Sequence, residues 1–136
     1  MKKGPQFIWL NWSHAINVKS LEEQNELGFE GTIQVYKFLE GGIQHTRKVL
    51  KTEGEVKWVI EDSISDNKNL DVFQRWNIHP NFLDNYIIEA VDEKGKTITY
   101  IVEDSWFSSS YGVKEKAQQI VFKFQGTTIK TVITQK

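Results

Sequence analysis

Residues 43–62, IQHTRKVLKTEGEVKWVIED, decide the fold. Two runs rich in Val, Ile, Leu and Trp flank the pair Glu53-Gly54, and Gly tolerates the positive φ that a tight hairpin loop requires. We therefore predict a β-hairpin whose loop is either this pair or the four residues 52–55.

Either loop sets the same register across the hairpin. The directly opposed pairs are Lys51 with Val56, Val49 with Trp58, Arg47 with Ile60 and His45 with Asp62. Opposed residues have Cβ atoms about 5 Å apart. The His45 imidazole and the Asp62 carboxylate should therefore bond each other or share a third group. Both lie on the core-facing side at the open end of the hairpin, where half-buried polar groups need partners.

The rest of the chain from residue 29 onward repeats this pattern of short apolar runs and turns, which indicates an all-β protein. The one helical candidate precedes this region. It is SLEEQNELG at 20–28, where Ser20 and Glu23 form a capping box and Gly28 can end a helix, so a turn or two of helix is expected. Strands are predicted at 7–12, 31–39, 43–52, 55–63, 70–79, 86–92, 97–103, 118–125 and 128–135.

The length and charge of the chain limit the possible functions. A chain of 136 residues supports one core, and strands with one buried face each must pack sheet on sheet, so we predict a single antiparallel β-sandwich over residues 1–136. Two packed sheets should hold about 9–11 strands, with at most one short helix. A formal charge of −1 gives no global attraction for nucleic acid or an anionic membrane, and neither partner is expected. The absence of Cys excludes disulfides, thiolate metal ligands and a Cys nucleophile.

His79, which precedes Pro80 at the end of a predicted strand, is a third candidate site residue. Two neutral imidazoles and a carboxylate can bind Zn²⁺, so His45, Asp62 and His79 form a candidate metal site. Without a metal, His45 can bond Asp62, Arg47 can reach Asp62 diagonally, and His79 can bond a carbonyl. The three residues can meet only if strand 70–79 pairs elsewhere, for example by crossing to the other sheet, because folding straight back leaves His79 about 20 Å from Asp62.

Other chemistries receive less support from the sequence. Five Trp residues suggest a platform for sugar rings, for which Trp9, Trp12 and Trp106 are the surface candidates. The Ser residues of SSSYG at 108–112 have no His and Asp in a nucleophile arrangement, and no glycine loop of the phosphate-binding type is present.

The segments HTRKVLKTEGEVKWVIED and RWNIHP resemble the C-terminal β-sandwich domain of the heparinase II/III family of polysaccharide lyases. That family's pattern is a His-x-Arg strand, an apolar strand ending in Asp, and a later strand ending in His-Pro. FIWLNW before these segments, and SSSYGVKEKAQQIVF and TVIT after them, resemble the flanks of the same domain. The resemblance spans nearly the whole chain.

The resemblance implies a partner module, a substrate class and a metal. In the family the sandwich follows an incomplete (α/α) toroid, and an anionic uronate polysaccharide is cleaved by β-elimination in a cleft between the two. The implied partners are thus the N-terminal toroid domain of a parent chain and an acidic polysaccharide. Several members hold a zinc ion with two His and one Asp, which implies structural Zn²⁺ on His45, Asp62 and His79.

The chain departs from the family in one important respect. Nothing in it resembles the toroid, which carries the family's Tyr and its Asn-His pair. No catalytic residue is therefore assigned here, and the isolated domain is expected to be inactive, since β-elimination needs both charge neutralisation and a base. The alternative function is that of a stand-alone carbohydrate-binding β-sandwich that uses its exposed Trp rings.

Overall fold

The computed structural model of this chain describes residues 2–3, 9–10, 14–36 and 41–136. They form twelve strands and one short helix: β1 (Lys2–Lys3), β2 (Trp9–Leu10), β3 (His14–Glu23), β4 (Glu26–Val35), β5 (Ile43–Thr52), β6 (Lys57–Ile64), β7 (Val72–Asn77), α1 (Phe82–Asn85), β8 (Tyr86–Asp92), β9 (Thr97–Ile98), β10 (Tyr100–Phe107), β11 (Glu115–Phe124) and β12 (Thr128–Gln135). No described helix is long and apolar enough to cross a membrane.

The described strands form two main antiparallel sheets and a separate two-stranded ribbon of β1 and β2. The larger sheet has the order β3-β4-β5-β6-β12-β8-β9, and the smaller has the order β10-β11-β7. Most of the predicted strands are present, and the predicted all-β sandwich is confirmed. Of the predicted strands 7–12 and 31–39, residues 7, 8, 11, 12 and 37–39 lie outside the described part of the chain.

The β5–β6 hairpin forms, but its register differs from the prediction. Arg47 lies opposite Asp62 and His45 lies opposite Ile64, so the predicted direct pairing of His45 with Asp62 is wrong. The loop is the four residues 53–56, in which Gly54 has φ +73. The register therefore moves by two residues, and because side chains alternate with a period of two, the residues that remain in the strands keep their predicted faces. Val56, predicted to lie opposite Lys51, is instead in the loop.

The predicted helix at 20–28 is wrong, because this segment belongs to the β3–β4 hairpin. Glu23 pairs with Glu26, and Asn25 takes φ 59 in the two-residue turn between them. Gly28 does not end a helix. A Cβ at Gly28 would lie 1.9 Å from the Val49 carbonyl oxygen on β5, so glycine is required for the close approach of these strands.

The chain crosses from the larger sheet to the smaller one after β6, since β7 pairs with β11. The connection turns at Lys68 and Asn69, which have φ values of 51 and 56. The Lys68 amide donates to a side-chain oxygen of Asp66 at 2.7 Å, and the Asn69 amide donates to that of Asn67 at 2.9 Å. Each of these bonds closes a short local turn. The crossing of strand 70–79 is thus confirmed, and it brings β7 to face β6.

The core lies where the three-stranded sheet covers β6, β12 and β8. Ile120, Phe122 and Ile129 are completely buried there, and Ile88 and Ala90 are nearly so. The larger sheet extends beyond this cover, and Phe29 on β4 remains half exposed. The boundary between the covered and uncovered parts lies along β5 and β6, where His45, Arg47 and Asp62 are found.

Candidate functional site

Asp62 on β6 is the centre of a polar cluster at the open end of the sandwich. Its Oδ1 lies 2.8 Å from His45 Nε2 and accepts a hydrogen bond of 2.7 Å from Arg47 Nε. Its Oδ2 accepts from Arg47 Nη2 at 2.8 Å and from Gln74 Nε2 at 2.7 Å. Since an ionised carboxylate can only accept, the His45 tautomer has its proton on Nε2. The buried carboxylate therefore accepts four hydrogen bonds, two at each oxygen.

The cluster keeps Asp62 ionised although its residue is only 7% exposed. Burial raises the pKa of a carboxyl group, but the hydrogen bonds from His45, Arg47 and Gln74 together outweigh it, and the pKa of Asp62 falls well below its usual range. The hydrogen bond to Asp62 likewise raises the pKa of the Arg47 guanidinium. Asp62 and Arg47 thus form an internal ion pair at neutral pH.

Gln74 on β7 links the cluster to both sheets. Its amide nitrogen donates to Asp62, and its Oε1 accepts from Thr131 Oγ1 and Trp76 Nε1, each at 2.8 Å. The Arg47 guanidinium also lies 5.5 Å from the centre of the Trp76 ring. Within the described residues, no buried side-chain nitrogen or oxygen lacks a hydrogen-bond partner.

The sequence interpretation missed Gln74 as a site residue, although a signal for it was present. Alternation along β7 places Val72, Gln74 and Trp76 on the same face of the strand. The apolar members of this set identify the inward face. An amide on that face must find a partner when it is buried, and the polar partners at hand on β6 and β12 are Asp62 and Thr131.

His79 lies apart from the other two candidate ligands. It is exposed two residues past the end of β7, where its Nδ1 accepts from the Asn81 amide at 3.2 Å and its ring packs edge-on against Phe107 at 5.1 Å between centres. Gln74, which contacts Asp62, is five residues earlier, or about 16 Å along an extended chain. The structure therefore brings together His45 and Asp62 but not His79.

As arranged, these residues do not fit a zinc ion. Among the residues described, no three His, Cys, Asp or Glu side chains are grouped so that they could hold a metal. Both Asp62 oxygens already accept hydrogen bonds from the Arg47 cation. The metal site predicted for His45, Asp62 and His79 stays a prediction, and metal analysis of the protein tests it.

A cavity of about 590 Å³ opens above the cluster, between the free ends of the two sheets. Apolar residues supply much of its wall, including Val35, Ile43, Ile64, Leu70, Val72 and Phe73. Its charged residues balance, since Arg47 and Arg75 are matched by Asp62 and Asp71. A cavity without net charge does not concentrate a polyanion by long-range attraction. This cavity is therefore a poor candidate for the main binding groove of an acidic polysaccharide.

The structure describes the surroundings of three of the five Trp residues. Trp58 is partly buried against Tyr86, with ring centres 6.3 Å apart, and Trp76 packs on the core. Trp106 is 55% exposed, and the Lys114 ammonium lies 4.0 Å from its ring centre. Trp12 lies outside the described residues, and only the strand position of Trp9 is described.

Comparison with known proteins assigns the chain to a family. The chain matches the family model described as heparinase II/III-like, C-terminal, over residues 3–135. It is also similar to the solved structure of a heparinase III, with a TM-score of 0.64 and 15% sequence identity over 91% of this chain. The match spans only 21% of the heparinase III chain. No curated protein matches the sequence. The chain belongs to the heparinase II/III-like C-terminal domain family.

Proposed function

We propose that this β-sandwich is the C-terminal module of a polysaccharide lyase that cleaves uronate-containing polysaccharide by β-elimination. Its role is to support one side of the substrate cleft beside an N-terminal (α/α) toroid. The observation that carries the proposal is the family match over residues 3–135, nearly the full length of the chain. The similarity to about a fifth of a heparinase III chain is consistent with a module of a larger enzyme.

The chemistry of the candidate site supports a non-catalytic role for the module. β-Elimination needs groups that neutralise the uronate and a base that removes its C5 proton. In the Asp62 cluster the charges of Arg47 and Asp62 satisfy each other, and the His45 nitrogen nearest the carboxylate is engaged by it. His79 lies elsewhere, against Phe107. These groups are therefore poorly placed to act together on a sugar, and the acid and base should come from the toroid.

Two experiments test this function. Incubated alone with heparan sulfate, hyaluronan or alginate, the 136-residue chain should produce no unsaturated uronate, which ultraviolet absorbance detects. The reading frame that encodes the chain should continue upstream through a helical toroid, and the complete protein should release the unsaturated product. Robust turnover by the sandwich alone, or an inactive complete protein on every uronate polymer offered, would contradict the proposal.

A second candidate function is carbohydrate binding by an independent module, and the exposed aromatic rings favour it. Trp106 has Lys114 over its ring, and Phe73 is 46% exposed, with the Arg75 guanidinium and the Lys123 ammonium 5.4 and 5.7 Å from its ring centre. Aromatic faces bordered by cations can stack on sugar rings while attracting acidic groups. Titration calorimetry with acidic oligosaccharides tests this. Binding that is lost in Trp106→Ala or Phe73→Ala, together with a stand-alone reading frame, would favour the binding module over the lyase.

A further inference from the structure

The buried carboxylate of Asp62 connects three strands in two sheets. We infer that His45, Arg47, Asp62 and Gln74 form a metal-free brace, which ties the two sheets together at their open end where the family resemblance implies zinc. The inference concerns stability and metal content, and it does not depend on the proposed function.

The hydrogen-bonding capacity of the Asp62 carboxylate is already used. A carboxylate has about four lone-pair sites. Each oxygen of Asp62 has two contacts, His45 and Arg47 Nε at Oδ1, and Arg47 Nη2 and Gln74 at Oδ2. A metal ion would have to displace one of these donors. The carboxylate is therefore saturated by the protein's own side chains.

The positive charge next to the carboxylate also disfavours a metal ion. A divalent ion bound to Asp62 would lie within a few ångströms of the Arg47 guanidinium, and two cations at that separation in a partly buried site repel strongly. Arg47 is held on both sides, by its two bonds to Asp62 and by the Trp76 ring 5.5 Å away. The positive charge that Asp62 requires is thus already supplied by Arg47.

The hydrogen bonds of Gln74 to Asp62 and Thr131 cross from one sheet to the other. Gln74 belongs to the three-stranded sheet, whereas Asp62 and Thr131 lie on β6 and β12 of the seven-stranded sheet. The Gln74 amide donates to Asp62 and accepts from Thr131, and these three residues are 6%, 7% and 0% exposed. Hydrogen bonds between fully satisfied buried groups strengthen one another in a medium of low dielectric constant. One amide therefore makes the cross-link between sheets that a metal ion would otherwise make.

If the brace is metal-free, the chain should bind almost no zinc, and removing metal should not change its stability. After incubation with equimolar Zn²⁺ and dialysis, elemental analysis should find less than about a tenth of an equivalent of zinc, far below the full occupancy expected of a site with two imidazoles and a carboxylate. Adding a chelator should leave the Tm unchanged, because nothing that binds the native state is removed.

Substitution separates the brace from a metal site. Gln74→Leu keeps the volume but leaves Asp62, Thr131 and Trp76 each without one partner, so the Tm should fall by roughly 8 °C or more, equally with and without chelator. His79→Ala is the matched control, since it removes a predicted zinc ligand that lies outside the cluster, and it should change the Tm by no more than about 2 °C.

The opposite pattern would overturn the inference. It would consist of one equivalent of bound zinc, a fall in Tm on chelation, and loss of the zinc in His79→Ala. An unchanged Tm in Gln74→Leu would also overturn it, because the cross-link would then contribute nothing. If Gln74→Leu does not fold, the zinc content and chelation response of the unmodified chain still decide between the brace and the metal site.

Discussion

Arg47 and Asp62 lie directly opposite each other across β5 and β6, and the guanidinium donates to both carboxylate oxygens, at 2.7 and 2.8 Å. The pair is asymmetric in its access to water, because the Arg47 side chain is 41% exposed and that of Asp62 only 9%. If the pair is broken, the guanidinium can turn to solvent, but the carboxylate remains buried without its cation. Removing the cation is therefore the more informative substitution.

Arg47→Met should lower the free energy of unfolding by about 2–4 kcal/mol, because it leaves a buried anion short of two hydrogen bonds while keeping most of the side-chain stem. Arg75→Met is the matched control. Arg75 lines the same cavity and bonds Glu103 at 2.6 Å, but both side chains of that pair are more than a third exposed. Its loss should cost less than about 1 kcal/mol. Denaturant unfolding of the two variants measures the difference, and equal costs would show that burial of Asp62 is unimportant.

Acid should weaken the cluster with a definite sign. The folded-state pKa of Asp62 is lowered, while the unfolded value is about 3.9, so its contribution is fully present above about pH 5 and is lost as the pH falls through 4 and below. The stability difference between the unmodified protein and Asp62→Asn should therefore shrink between pH 5 and pH 2.5. Asp66 and Asp71 also have lowered pKa values, but both proteins contain these residues, so their contributions cancel in the stability difference. A difference that stays constant over this range would mean that Asp62 gains nothing from its ionised state.

The sequence predicts which face of the sheet a residue lies on better than it predicts which residue it opposes on the neighbouring strand. Alternation places His45 and Asp62 on the inner side of the hairpin whichever loop forms, because any even shift in register preserves the face. The register itself depends on loop length, and Gly54 suits both a two-residue and a four-residue loop. The observed loop includes bonds from the Lys51 ammonium to the carbonyl oxygens of Thr52 and Glu55, which no local pattern reveals. The contact between His45 and Asp62 survives as a diagonal one.

Local and tertiary signals conflict at residues 20–28. The capping box of Ser20 and Glu23 is a helix signal, but a helix of nine residues is marginal by itself. Nine residue pairs join β3 to β4, and this pairing supplies many backbone hydrogen bonds instead. His79 illustrates a different limit, since its distance from Asp62 depends on where β7 crosses the sandwich, and a strand pattern does not contain that information.

Gly28→Ala should test the assignment of β4 as a strand. The added Cβ would meet the Val49 carbonyl oxygen at 1.9 Å, so the β4–β5 pair must separate, and we expect a loss of about 3 kcal/mol or more of unfolding free energy. Gly31→Ala on the same strand is the control, because its nearest atoms lie at 3.9 Å, and its cost should be below about 1 kcal/mol. If Gly28 were instead the glycine that ends a helix, the Val49 contact would not exist and the two substitutions would differ little.

Hydrogen exchange can locate the effect of the brace. In Gln74→Leu the two sheets lose their polar cross-link at one end only, so amides of residues 43–46, 62–65 and 72–76 should exchange faster by a factor of roughly 10 or more. Amides of residues 87–90 on β8 should keep their protection, because β8 is not paired with β7 and the buried Ile88 and Ala90 around which they pack are untouched. The same experiment on His79→Ala should show no change at residues 43–46 or 62–65. Uniform loss of protection in Gln74→Leu would mean that the cluster is coupled to the whole core, and faster exchange limited to β7 would mean that Gln74 does not hold the hairpin at all.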